Sequence, residues 1–265
     1  MAVRRWYRRM FGWRWFRGRY ATWEEARRVA GGYDQAVILE KVLAAALAVR
    51  AGQAAFERDS VLFKEPDCDH RVLAGLLAVA QTNGGRLRVL DFGGSLGSLY
   101  FQLRPFLPPL AEVRWDIVEQ AHFVEAGNRH FQGETPGFFE NIDAAERVAP
   151  HDVILVSTVL QYLPEPHVFV AELVARGRPF LMFNNLPLHE PAPDWLTVQH
   201  VPPGIYTASY PVWFLNRRQF LAHFDRRYRV VQEYASAAVW SVDGRDYHST
   251  GLLLRRLDHE PGGEA

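Results

Sequence analysis

The chain has a single cysteine, Cys68, in 265 residues, so no disulfide can close within it. That excludes a disulfide-stapled scaffold, fits a reducing, cytoplasmic setting, and leaves Cys68 to be read as a small buried apolar residue. Net charge is also missing: 30 Lys and Arg stand against 30 Asp and Glu. Whole-molecule attraction for phosphate backbones is therefore absent, and no nucleic-acid partner is expected. No run of about 18 apolar residues occurs, so no bilayer-spanning helix is expected. His189, His200 and His223 fall at irregular spacing and nothing pairs like zinc ligands, so no metal is expected. The G-x-S-x-G elbow is absent, which leaves no Ser-His-Asp assignment. Repeats and low-complexity tracts are lacking too. What is there is a globular composition, 48% hydrophobic and 23% charged, long enough to bury one sizeable core.

Charge is nonetheless unevenly spread. Residues 1 to 30 hold nine Arg and two Glu, leaving the remainder acidic by the same margin. The first twenty residues mix seven Arg with seven aromatics (Trp6, Tyr7, Phe11, Trp13, Trp15, Phe16, Tyr20) and lack the apolar stretch of a secretory signal. Arginine and tryptophan together suit an anionic membrane surface, so peripheral contact through residues 1–19 at the inner face of a membrane is one expectation. A basic end whose later aromatics pack on the domain is the other.

Helical signals follow. Thr22-Trp23-Glu24-Glu25 has the capping-box pattern, Asp34 to Val49 carries an apolar helical face, and Asp69 to Gln81 reads as a helix stopped by Asn83-Gly84-Gly85. Residues 20–83 are thus expected to form a helical attachment. From Arg86 the period alternates: strands at 86–91, 113–119, 152–157 and 179–183, with helices at 96–104, 121–130 and 166–175 between them. That alternation predicts a mostly parallel sheet covered on both faces. Asn184 to Trp213 is rich in Pro and aromatics without clear periodicity, and is expected to be a lid or substrate-facing insertion. Asn216 caps a helix to about Phe224. Tyr228 to Tyr234 and His248 to Leu254 read as antiparallel C-terminal strands joined through Asp243-Gly244. The expected layout is a basic segment 1–19, the attachment 20–83, an α/β domain 84–257 with insertion 184–213, and a loose tail 258–265.

The chemistry concentrates after the first core strand. Val89-Leu90-Asp91-Phe92-Gly93-Gly94-Ser95-Leu96-Gly97 ends a strand and opens a helix. Glycine lets the backbone turn and approach a ligand closely. A dinucleotide fingerprint would need glycines at 93, 95 and 98, and this chain has Ser95 and Ser98. An acid at the strand end followed by Gly93 and Gly97 instead resembles motif I of class I S-adenosylmethionine-dependent methyltransferases. The resemblance implies a Rossmann-like fold and a cofactor, S-adenosylmethionine, lying over Asp91, Gly93, Gly94, Ser95 and Gly97. Trp115 to Gln120 closes the second strand, and a carboxylate at that tip can accept both hydroxyls of a ribose. Glu119 is the match, with Gln120 beside it. At the end of the fourth strand the resemblance implies cofactor contacts for Ser157, Gln161 and Tyr162; a buried strand leading to a Pro-ended turn is the plainer reading of that apolar run.

Further motifs narrow the likeness. Leu160-Gln161-Tyr162-Leu163, Thr197-Val198-Gln199-His200-Val201-Pro202, Ile205-Tyr206 and Ser209-Tyr210-Pro211-Val212-Trp213 resemble a little-characterised family of bacterial methyltransferases, over about residues 16 to 256. Members are often associated with surface-polysaccharide genes, which implies a small-molecule, saccharide or glycolipid acceptor methylated on oxygen. Asn184-Asn185-Leu186-Pro187 departs from the Arg-Thr-Pro-like sequence of those relatives. A hydroxyl acceptor must lose a proton, a task suited to His near neutral pH. His200 is the first candidate base and His189 the second, while Tyr206 and Tyr210 are candidates to line the acceptor pocket. A histidine in such a segment equally serves as a hydrogen-bonded structural residue. Two other readings stay open: a non-catalytic scaffold or regulatory subunit of a membrane-associated assembly, and an NAD-type oxidoreductase, which Ser95 and Ser98 disfavour.

Overall fold

The computed structural model describes residues 15–33, 35–58, 61–65, 67–131, 135–190, 192–201, 208–243 and 245–259. The basic segment before Trp15 and the candidate Tyr206 lie outside these residues. Among the described residues fourteen strands are formed: β1 Phe16–Tyr20, β2 Gly32–Tyr33, β3 Phe56–Arg58, β4 Val61–Phe63, β5 Arg86–Phe92, β6 Glu112–Val118, β7 Gly137–Phe139, β8 Val153–Ser157, β9 Phe180–Leu186, β10 Leu188–His189, β11 Trp195–Val201, β12 Ala208–Asn216, β13 Tyr228–Val242 and β14 Arg245–Arg256.

Seven of them make the main sheet, in the order β13-β14-β9-β8-β5-β6-β7. β5, β6, β7, β8 and β9 run parallel, whereas β14 is antiparallel to both β9 and β13. The α/β architecture and the antiparallel C-terminal strand agree with the sequence reading. Alternation along the strands splits the core in two. Leu87, Val89, Val153, Leu155 and Met182 face the helices Gln35–Arg50, His70–Thr82, Ser98–Leu103 and Ala121–His130. Leu90, Ile154, Val156, Leu181 and Phe183 face Ile142–Val148, Pro166–Arg176 and Arg217–Ala222. β8 is buried on both faces from Val153 to Val156, which is why it reads as a nearly unbroken apolar run, whereas β5 and β6 interleave Arg88, Asp91, Arg114 and Asp116 with their apolar residues. The chain builds outward from β5 through β6 to β7, then crosses back to β8 and β9. Between β5 and β8 lies the point where the winding reverses, the crevice that open α/β sheets offer to ligands. Arg88 fastens that seam, donating from its backbone N–H and guanidinium to Asp152.

Local signals hold at several helix ends. Thr22 Oγ1 accepts from Glu25 N at 3.2 Å, and Glu25 Oε2 accepts in turn from Ala21 N at 3.1 Å. Asp69 caps His70–Thr82 through Arg71 N and Val72 N, and Asn216 caps Arg217–Ala222 through Gln219 N.

Two stretches differ from expectation. The attachment is not wholly helical, since it carries the hairpin β3–β4 and the short β2. The supposed irregular insertion is a second sheet, ordered β1-β11-β12-β10 with β2 on β12, that recruits strands from before residue 34. Its core is Trp15, Phe16, Val212, Phe214 and Trp240. Phe214 stacks on Trp195 at 4.1 Å and meets Phe16 edge-on at 5.9 Å. Aromatic burial of this kind supplies the stability that local periodicity failed to announce. The C-terminal hairpin is also longer than its strand signals, with β13 of 15 residues and β14 of 12. Among the described residues no helix is long and apolar enough to cross a membrane.

Candidate functional site

The loop after β5 sits at the winding reversal, and its glycines are required by geometry. Gly93 and Gly97 have φ of 73° and 92°, a region that costs other residues energy. A Cβ on Gly93 would come within 2.6 Å of Val159 Cγ2, and one on Gly94 within 2.6 Å of Asp91 Oδ2. Ser95 also takes a positive φ, 55°, where glycine is commoner. Asp91 is buried beneath the loop and accepts from Trp115 Nε1 at 3.1 Å. Burial raises its carboxyl to about 7, against the opposing Trp115 hydrogen bond and with help from Glu119.

Register brings the second acid to the loop. Phe92 pairs with Val118 on β6, so Glu119 follows directly across from Gly93. Its Oε1 accepts from Ser95 N at 3.3 Å and its Oε2 from Gln120 N at 2.8 Å. Burial raises the Glu119 carboxyl, and these two N–H bonds oppose the rise. Each carboxylate oxygen keeps a second lone pair, so the group can still accept a diol. Asp91, Gly93, Gly94, Ser95, Gly97, Glu119 and Gln120 are thus brought to one place.

Beyond β8 the chain turns sharply. Thr158 has φ of 61°, unusual for a β-branched residue, and Asn185 at the end of β9 has φ of 57°. The two are joined by Asn185 Nδ2 donating to Thr158 Oγ1 at 2.9 Å. Asn184 is a junction. Its Nδ2 donates to Asp69 Oδ2 and Ser157 Oγ, and its Oδ1 accepts from Tyr234 Oη and Ser236 Oγ. That locks β8, β9, β13 and the cap of His70–Thr82 together. Burial pushes the Tyr234 phenol above its usual range, with Asp69 reinforcing. Asn185 Oδ1 is buried with no partner among the described residues, and so are both amide atoms of the fully buried Gln161. Unpaired groups of this kind cost on the order of 1–3 kcal/mol each.

Tyr162 meets the small sheet. Its Oη donates to Gln199 Oε1 at 3.0 Å, Gln199 Nε2 donates to Tyr210 Oη at 3.3 Å, and the two phenol rings lie edge-to-face at 5.1 Å. Ser157, Tyr162 and Tyr210 therefore border the same end of the main sheet. His200 neighbours Gln199 on β11, and successive side chains point to opposite faces, so His200 lies on the other face from the Gln199–Tyr210 contact. Burial, with a contribution from Arg17, lowers its pKa. His189 is packed against Trp195 and Tyr247, with Nε2 on Phe214 O at 3.2 Å, and burial lowers its pKa too. The structure does not gather the two histidines with Tyr210.

Sequence reasoning missed Thr158, Asn184, Asn185 and Ser236. Asn184 and Asn185 did carry a signal, as the departure from the Arg-Thr-Pro-like pattern. Ser236 had none, because it reaches its place through a pairing between distant segments.

No protein-family model matches the chain, and no curated protein matches it. Solved structures share its outline at low identity. An S-adenosylmethionine-dependent methyltransferase from Clostridium acetobutylicum aligns at 10% identity and TM-score 0.45, over 71% of this chain and 92% of its own. One from Listeria monocytogenes, described as a methyltransferase of the same cofactor, aligns at 12% and 0.45, over 71% and 97%. Magnesium protoporphyrin IX methyltransferase from Synechocystis, with bound S-adenosylmethionine, aligns at 16% and 0.41, over 82% and 97%. At this distance they are likenesses of outline, and the chain's own strand order and loop geometry carry the reading.

Proposed function

We propose that the chain is an S-adenosylmethionine-dependent methyltransferase acting on an oxygen of a small-molecule or saccharide acceptor. The carrying observation is Glu119, held by Ser95 N and Gln120 N across a glycine turn at the winding reversal. A strand-end carboxylate fits a ribose diol. A dinucleotide would place its pyrophosphate on the same loop, between Glu119 and Asp91 and without the glycines at 95 and 98 that allow close approach. Asp91, Gly93, Gly94, Ser95 and Gly97 would hold the cofactor from below, and Glu119 would fix the nucleoside. Bound there, S-adenosylmethionine would supply an electrophilic methyl group to the acceptor oxygen, with S-adenosylhomocysteine as the leaving group and the hydroxyl proton passing to solvent or a neighbouring base.

Support for a hydroxyl acceptor comes from the ends of β8 and β9. Ser157, Thr158 and Asn185 form a neutral polar floor one to two strand spacings from the loop, about 5 to 10 Å. Asn185 Oδ1, buried and unpaired, is suited to accept from an acceptor hydroxyl. Tyr162, four residues beyond Thr158, is tied to Tyr210 of the small sheet through Gln199, which makes these two phenols our candidates for the acceptor side. We assign Tyr210 to the acceptor; His200 lies on the opposite face of β11 and His189 packs among Trp195, Phe214 and Tyr247, so neither is assigned as its base. Positioning alone provides much of the rate in such a transfer.

Titration calorimetry with S-adenosylhomocysteine tests the reading. The wild-type chain should bind it, and Glu119→Ala should weaken binding by roughly 1–3 kcal/mol through loss of a charged acceptor. No binding below millimolar concentration overturns the cofactor reading. Unchanged affinity in Glu119→Ala removes Glu119 from the site.

A further inference from the structure

We propose that residues 1–19, with the corner of the small sheet they lead into, form a docking surface for an anionic lipid membrane; this stands apart from the S-adenosylmethionine reading. Residues 1–14 lie outside the described residues and contribute their composition: Arg4, Arg5, Arg8, Arg9 and Arg14 are interspersed with Trp6, Tyr7, Phe11 and Trp13, and no acid is present. From Trp15 on, rings and charges part. Trp15 and Phe16 are buried and pack with Phe214 and Trp240, whereas Arg17 and Arg19 are exposed. β1 is the outermost strand of its sheet, paired with β11 on one side and with no described strand on the other. The chain therefore enters the small sheet at a free edge. The helix Trp23–Val29 packs on β1 and exposes Arg28 and Val29 beside it.

Two exposed charges and the bulge between Arg17 and Tyr20 are enough to keep an edge strand from pairing with another chain. Seven arginines and no acid among the first twenty residues go beyond that need. Like charges so close repel one another, and an anionic surface turns that repulsion into attraction, each arginine adding to it. Two features favour lipid over a polynucleotide. Beyond residue 30 the chain is acidic by seven charges, so a long polyanion is repelled wherever it touches the remainder, while a flat bilayer meets only this corner. Trp and Tyr rings, with Met1, Val3 and Met10 among the arginines, suit the headgroup boundary, where apolar groups enter the bilayer and charges stay with phosphate.

The full chain is co-sedimented with vesicles of phosphatidylcholine alone and of phosphatidylcholine mixed equally with phosphatidylglycerol. It should bind the anionic vesicles more tightly by at least about ten-fold, and most of that binding should be lost between about 0.1 M and about 0.5 M salt. No binding to the anionic vesicles, or equal binding to both kinds, overturns the proposal. Arg4→Ser, Arg5→Ser, Arg8→Ser and Arg9→Ser together should weaken anionic binding by at least about ten-fold, and Trp6→Ser with Trp13→Ser by about five-fold. Unchanged binding in the arginine variant overturns the assignment to this segment. Unchanged binding in the tryptophan variant, or tighter binding of polyuridylate than of anionic vesicles, overturns lipid as the partner. Arg19→Ser with Arg28→Ser carries the test to the sheet corner: a further loss of about five-fold is expected, and no loss overturns its part in the surface.

Discussion

The glycine loop and the small sheet stand side by side at one end of the main sheet, yet they are held by different forces. The loop draws on residues 91–97 and 119–120, at the ends of two adjacent parallel strands, and its shape is set by backbone conformation and register. The small sheet joins β1 at residue 16 to β11 at residue 199, and its shape is set by packed rings around Phe214 and Trp240. A site built on backbone geometry tolerates little change in a few glycines and much elsewhere. A site built on ring packing depends on volume, and any of several aromatics can loosen it. The proposed cofactor side is of the first kind and the proposed acceptor side of the second.

Deleting a ring should separate the two most sharply. Phe214 is fully buried between Trp195, Phe16, Tyr247 and Trp240. Phe214→Ala should cost about 3–5 kcal/mol of stability, read by chemical denaturation, while S-adenosylhomocysteine affinity of the folded protein stays within about two-fold. A matching collapse of affinity would mean that the small sheet also shapes the loop.

The loop has its own lever in pH. The Asp91 carboxyl has an ordinary value of 3.8 and is raised by burial to about 7. Between those values the folded chain keeps a proton that the unfolded chain releases, so stability falls as pH rises through that window. Asp91→Asn lacks this dependence. Relative to the variant, the wild-type chain should lose about 2–3 kcal/mol between about pH 5 and pH 8, read from denaturation midpoints. A constant gap would show Asp91 ionised throughout.

The junction should respond least. Tyr162→Phe removes the hydroxyl that donates to Gln199 at 3.0 Å, at a cost of about 1 kcal/mol, with S-adenosylhomocysteine affinity unchanged within about two-fold. A larger loss of that affinity would move Tyr162 from the acceptor side to the cofactor side.

The contrast also explains what could be read in advance. Asp91 to Gly97 is contiguous, its glycines answer a local turn, and Glu119 follows because parallel strands of similar length end together. β11 was hidden because all seven of its residues are buried or half-buried on both faces without alternation, leaving no period of two. The hairpin β3–β4 was hidden because three-residue strands carry no period at all. Asn184 looked like loop chemistry and proved to be a four-bond junction, a role visible only once Asp69, Ser157, Tyr234 and Ser236 converge on it.

By itself the sequence determined the parallel sheet, the helix caps and the turn on which the donor is proposed to sit, since each depends on residues within a few positions of one another. The tertiary structure decided that β1 closes the small sheet, that His200 and Tyr210 face opposite ways, and that Glu57 reaches Ser98. Those outcomes follow from pairings across 41 to 183 positions, and contacts at that range are selected by how the finished surfaces pack, for which no local pattern exists.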